Sequence, residues 1–234
     1  MKLAIMQPYV FPYLGYFHLI KAVDKFIFYD DVNFIQQGWI NRNNILVGGK
    51  QKLFTIPLEN PSHKILISDI TIKRELYPYW KKNFFKTIFH SYSRAPFFSE
   101  TLEVVNRVFE QDPIFISDLS IKSVVEIFNY LDIKFDFLKS SISFPNKSSI
   151  GQRRILDICK DVGASHYINP IGGIGLYDKN FFKESNIKLS FISSQFNFYQ
   201  QLKNPFVPSL SIIDVMMFND KKSITEMFGQ FDLI

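Results

Sequence analysis

Two short apolar runs, residues 1–6 and 26–29, flank a helix-length stretch and so impose a strand-helix-strand start on this chain. Between the first run and the helix lies a loop dense in proline and aromatic residues: Gln7, Pro8, Tyr9, Val10, Phe11, Pro12, Tyr13, Leu14, Gly15 and Tyr16. The second run ends in Asp30 and Asp31. In open α/β sheets, ligands bind beyond the carboxyl ends of the strands. The loop and the two acids fall there, so this opening unit is the first place to look for a site.

Alternation continues at the other end of the chain. Residues 151–162 read as a helix burying Ile155, Ile158, Cys159 and Val162, stopped by Gly163. A strand follows at 166–168, then a loop at 170–175, a helix at 179–185 and a strand at 189–192. Ser209 and Ser211 are placed to cap a last helix carrying Ile212, Ile213, Val215, Met216 and Met217. Three helices are expected in between, at about 77–91, 98–109 and 117–131, with Pro96 and Pro113 at the joins. Gly48 and Gly49 predict a turn into a strand at 53–56. The alternation of Ile65, Ile67, Ile70 and Ile72 predicts another strand across 64–72. A short strand is expected at 135–138 and a polar linker at 145–149. The expectation is one α/β domain over 1–234: a Rossmann-like opening unit, a mainly helical subdomain at 77–131, and a C-terminal β/α unit.

With 26 phenylalanines and 11 tyrosines among 234 residues, most of the aromatic content is core. No apolar run approaches the roughly 20 residues of a membrane-spanning helix. The start lacks a signal-peptide pattern, and a lone cysteine, Cys159, fits a reducing cytoplasm. The net charge of +5 is spread thinly, which argues against nucleic acid as a partner while suiting phosphorylated small molecules.

Few residues carry chemistry. His18, His63, His90 and His166 lie far apart, and no spacing suggests a metal site. Asp30 and Asp31 are adjacent in a strand and point to opposite faces, so one would face a site while the other binds backbone. His18, just after Gly15 and Tyr16, reads either as a general base or as a packed core histidine. Gly172 and Gly173, after a strand, either cradle a phosphate or sugar or simply connect. Trp39, Asn41, Arg42 and Asn43 combine a stacking plane, amides and a bidentate cation, a mixture that holds sugars, nucleobases and phosphates.

Several uncommon words occur together: Met6-Gln7-Pro8-Tyr9 with Phe11-Pro12-Tyr13-Leu14-Gly15-Tyr16-Phe17, Tyr29-Asp30-Asp31-Val32, and Trp39-Ile40-Asn41-Arg42-Asn43. Tyr92-Ser93-Arg94-Ala95-Pro96, Gly163-Ala164-Ser165-His166-Tyr167 and Leu210-Ser211-Ile212-Ile213-Asp214 continue the series. In these the chain resembles the WbqC-like family, found with bacterial surface-polysaccharide genes. The resemblance implies a cytoplasmic transferase of O-antigen or lipopolysaccharide assembly, an acyltransferase placing an N-acyl or glycyl group on a nucleotide-linked amino sugar. An acyl-carrier thioester, or ATP with magnesium, would then supply the donor. On this reading His18 and Asp31 are the base candidates, and Gln7, Tyr9, Tyr13, Tyr16, Asp30, Trp39, Asn41, Arg42, Asn43, Gly172 and Gly173 hold substrate. The opening unit is also similar to the start of HIGH-motif nucleotidyltransferases, with Tyr13-Leu14-Gly15-Tyr16 where those carry His-x-Gly-His. The alternatives are a non-catalytic sugar-nucleotide or glycan-binding protein, or an adenylate-forming enzyme.

Overall fold

The computed structural model describes residues 1–144, 148–195, 198–203 and 205–234. The opening unit is β1 (Lys2–Met6), α1 (Leu14–Lys21) and β2 (Lys25–Phe28). A hairpin follows, β3 (Arg42–Val47) with β4 (Lys50–Thr55), turning at Gly48 and Gly49 as expected. Next come α2 (Tyr77–Tyr92), α3 (Phe98–Phe109) and α4 (Ile116–Tyr130). The chain then forms β5 (Phe137–Lys139), α5 (Ser140–Ser143), α6 (Gly151–Asp161), β6 (His166–Pro170), α7 (Lys179–Lys183) and β7 (Lys188–Ser194). It ends in α8 (Ile212–Phe218), α9 (Lys221–Met227) and β8 (Phe231–Leu233).

The fold is α/β. Its main sheet has the order β5-β2-β1-β6-β7-β8, with β8 antiparallel and every other pair parallel. From β1 the chain moves outward through β2 to β5, then returns past β1 to build β6 and β7 on the other side. The direction of winding therefore reverses between β1 and β6, where parallel sheets leave a crevice at their carboxyl ends.

Period-two alternation divides the side chains between two cores. Ala4, Phe26, Phe28 and Ile168 face one core, shared with α1, α2, α3, α4, α8 and α9. Leu3, Ile5, Ile27, Tyr167 and Phe191 face the other, covered by α6 and α7. Both faces are buried, which is why these strands read as nearly continuous apolar runs.

Two expectations change. The alternating isoleucines of 64–72 do not form a strand: the stretch is a 3₁₀ turn at Ile67–Asp69 with isolated bridges on either side. Ile67, Ile70 and Ile72 are nonetheless buried, so a winding surface segment can match a strand's spacing. The loop expected at 170–175 coils into a 3₁₀ helix, Ile171–Leu176. Of the expected linker at 145–149, residues 145–147 lie outside the described residues. Among the described residues no helix is long and apolar enough to cross a membrane.

Candidate functional site

A cavity of about 340 Å³ opens at the switch point. Its floor is Met6 at the end of β1 and Pro170 at the end of β6, the two strands between which winding reverses. Tyr9 and Tyr13 come from the proline-aromatic loop, and Gly15, Tyr16 and Leu19 from the first turns of α1. Trp39, Asn43 and Ser209 close the remaining wall. The volume lies at the small end of ligand sites, enough for one ring system.

The loop from Gln7 to Tyr13 is held rigidly, and the residues that hold it come from distant parts of the chain. Asn43 donates from Nδ2 to the carbonyls of Val10, at 3.3 Å, and Phe11, at 2.8 Å. The Phe11 amide donates to Ser123 Oγ at 2.9 Å, and Ser211 Oγ donates to the Phe11 carbonyl at 2.7 Å. The Val10 amide donates to the Ile40 carbonyl, and the Ile212 amide to that of Pro12. These buried bonds keep Phe11 at φ 41°, a left-handed conformation that costs a non-glycine residue about 1–3 kcal/mol. Ser209, on the opposite wall, is also left-handed at φ 58°. Strain held in place by surrounding structure is concentrated where chains bind ligands.

Gly15 is required by packing. A Cβ there would overlap the Tyr13 ring and approach Ser194 Oγ to 3.0 Å, so only glycine lets that ring lie across the start of α1. Tyr16 Oη donates to the Gln7 carbonyl at 2.9 Å. Burial pushes the hydroxyls of all three tyrosines up: Tyr9 to about 12, Tyr13 above its ordinary value, and Tyr16 far above it. They are neutral donors at physiological pH. Trp39 is 40% exposed at the mouth, and the Arg42 guanidinium lies 5.7 Å from its ring centre.

Thus Tyr9, Tyr13, Tyr16, Trp39 and Asn43 meet around one cavity. The other expected site residues are placed elsewhere. Gln7 contributes its carbonyl to Tyr16. Asn41 donates to the Ile56 carbonyl at 2.9 Å, joining the two ends of the hairpin. Arg42 donates to the carbonyls of Gly38 and Gln37 and touches the cavity only through Trp39.

His18 is fully buried on the inward face of α1, donating from Nε2 to the Met227 carbonyl at 2.9 Å. Burial lowers its pKa, and the Met227 contact opposes that shift. Its ring lies in the interior beside Phe231, away from the cavity wall.

Asp30 and Asp31 form a second, closed cluster beyond β2. Asp30 accepts from the Ser141 amide at 2.9 Å and from Ser141 Oγ at 2.7 Å. Asp31 accepts from Ser140 Oγ and pairs with Arg154 at 3.0 Å, with the two side chains 1% and 6% exposed. Arg154 also donates to the Phe144 carbonyl at 2.6 Å. The adjacent acids are thus spent on pinning α5 and α6 to the end of β2. Gly172 is exposed in the 3₁₀ helix, and Gly173 packs on Asn169, whose side chain fills the space a Cβ would need.

Met6, Leu19, Pro170 and Ser209 also line the cavity and were not among the expected residues. Only the strand order brings Met6 and Pro170 together, and no local sequence signal carries strand order. Among the described residues no cluster of His, Cys, Asp and Glu could hold a metal ion. Cys159 is buried, and burial raises its thiol to about 12, which leaves it inert.

A model of the WbqC-like protein family matches residues 7–226, from the proline-aromatic loop to α9. The chain belongs to the WbqC-like protein family. A relative in Mycobacterium tuberculosis, named "Uncharacterized protein Rv1507c", is 26% identical over 220 residues, covering 92% of each chain. No solved structure matches. The family match spans every residue named above around the cavity except Met6.

Proposed function

We propose that this WbqC-like chain binds a nucleotide-linked amino sugar, with the sugar ring in the switch-point cavity, and transfers an N-acyl or glycyl group to its amine in bacterial surface-polysaccharide assembly. The observation that carries this reading is the cavity wall. A tryptophan plane, the neutral hydroxyls of Tyr9 and Tyr13, the Tyr16 ring and an open helix start surround a space of one ring, at the crevice where parallel sheets take ligands. Sugars are held by that combination, through C–H faces on aromatic planes and hydroxyls on neutral hydrogen-bond partners.

Transfer from a thioester donor balances simply. The amine nitrogen attacks the carbonyl carbon, the C–S bond breaks, and the proton lost by nitrogen leaves with the thiol. Donors facing the developing oxyanion assist this step; the hydroxyls of Tyr9 and Tyr13 and the first-turn amide of Gly15 are the candidates along the wall, since the Tyr16 hydroxyl is bonded to the Gln7 carbonyl.

A non-catalytic sugar-nucleotide or glycan binder is the second reading, favoured by one observation: neither His18 nor Asp31 lines the cavity. The adenylate-forming reading has less support, because no cation among the lining residues would meet a triphosphate. The test incubates the purified protein with nucleotide-linked amino sugars and acyl or glycyl thioesters and reads amide product by mass. Product that disappears in Tyr13→Phe and Trp39→Ala supports transfer. Binding without product across the panel supports the second reading.

A further inference from the structure

The cavity wall has a property that bears on which sugars it accepts. None of the side chains lining it carries a charge at neutral pH, and its tyrosines are held in the hydroxyl form by burial. The charged and titratable groups of α1, of the mouth and of the segment after β2 are turned away or already engaged. On α1, His18 faces the interior and Lys21 is exposed at the far end of the helix. Beside the mouth, Arg42 is bound to two carbonyls. Beyond β2, Asp30 and Asp31 are closed off by Ser140, Ser141 and Arg154.

We infer that the cavity favours glycosyl rings in uncharged form: N-acylated amino sugars directly, free amino sugars as the neutral amine, and ionised uronic acids only weakly. This rests on the sugar-binding reading above and deepens it. An ion moved out of water into a site without a counter-charge loses hydration that nothing replaces. Aromatic rings can attract a cation, but the Arg42 guanidinium already lies over the Trp39 ring, 5.7 Å from its centre. Desolvation therefore selects the neutral amine. That is the nucleophilic form, so a wall without a general base still presents a reactive acceptor.

The probes are N-acetylglucosamine, glucosamine and glucuronic acid as their nucleoside diphosphate conjugates, with affinity measured calorimetrically at several pH values. The N-acetyl conjugate is expected to bind with a flat pH profile. The amine conjugate should tighten as pH rises through its own ammonium pKa, by up to about tenfold per unit below it. The uronate should bind at least about tenfold more weakly than the N-acetyl conjugate. Ser209→Asp places a carboxylate on the wall at an exposed position whose left-handed backbone aspartate tolerates. It should recover amine binding at low pH without improving the N-acetyl conjugate. Equal binding of all three conjugates, or tighter binding of the ammonium form, overturns the inference while leaving the sugar site standing. If none of the three binds, the site reading fails and the inference fails with it.

Discussion

Trp39 and Gly15 test the proposed site at the level of single residues. Trp39 is part exposed, so Trp39→Ala should weaken ligand binding by tenfold or more while costing about 1 kcal/mol or less in unfolding free energy. A large loss of stability, read by urea titration, would return the residue to the core. Gly15→Ala puts a methyl into the Tyr13 ring, so ligand affinity should fall even though alanine is the better helix former. The aromatic half of the cavity was legible in the sequence because its residues sit close together in the opening forty-three. The polar expectations were less legible. His18, Asp31 and Arg42 carry the chemistry expected of a site, but their partners decide their use. Those of His18 and Asp31 lie far off in the chain, at Met227, Ser140 and Arg154. A sequence shows that a side chain can ionise; it does not show which groups will surround it.

At the scale of elements, buried polar clamps hold the pieces in register. Arg154→Ala should destabilise by about 3–5 kcal/mol, since Asp31 would keep its charge in a buried place without its cation. Replacing both partners with apolar residues should recover much of that loss, and chemical denaturation of the single and double variants measures it. Ser123→Ala removes the acceptor of the Phe11 amide and should cost about 1–3 kcal/mol, with weaker ligand binding as the loop loosens. Helices with clear apolar periodicity were readable almost to the residue, α3 at Phe98–Phe109 above all. Short elements were not. β3, α9 and β8 were not anticipated, and the isoleucines of 64–72 carried a strand's spacing without a partner to pair with. Strand identity depends on pairing as much as on pattern.

Across the whole molecule, Asp214 ties α8 to α2, to the hairpin and to the segment leading to Ser209. Its carboxylate accepts from Tyr92 at 2.9 Å, and from Tyr199 and Gln201 at 2.7 Å. The Tyr92 oxygen in turn accepts from the Leu46 amide. Burial raises the Asp214 pKa above its ordinary 3.8, against the opposing pull of those donors. The stability it contributes is therefore complete below pH 3.8 and is lost as pH rises through the raised folded value. Relative to Asp214→Asn, the wild-type chain should lose stability as pH rises from 3.8 to the raised folded value, by at most about 1.4 kcal/mol per unit, and no further above it. Urea titrations across pH read the difference, and a pH-independent difference would contradict it.

The α/β class was visible from alternation at the two ends of the sequence, but the strand order was not. That order decides where the crevice lies, because Met6 and Pro170 become neighbours only when β6 returns beside β1. The most direct measurement is a crystal structure with a nucleotide-linked N-acylated amino sugar. The sugar is predicted between Tyr13, Gly15 and Trp39, above the ends of β1 and β6. A ligand over Asp30 and Asp31 or along Ile171–Leu176, with the cavity empty, would contradict it.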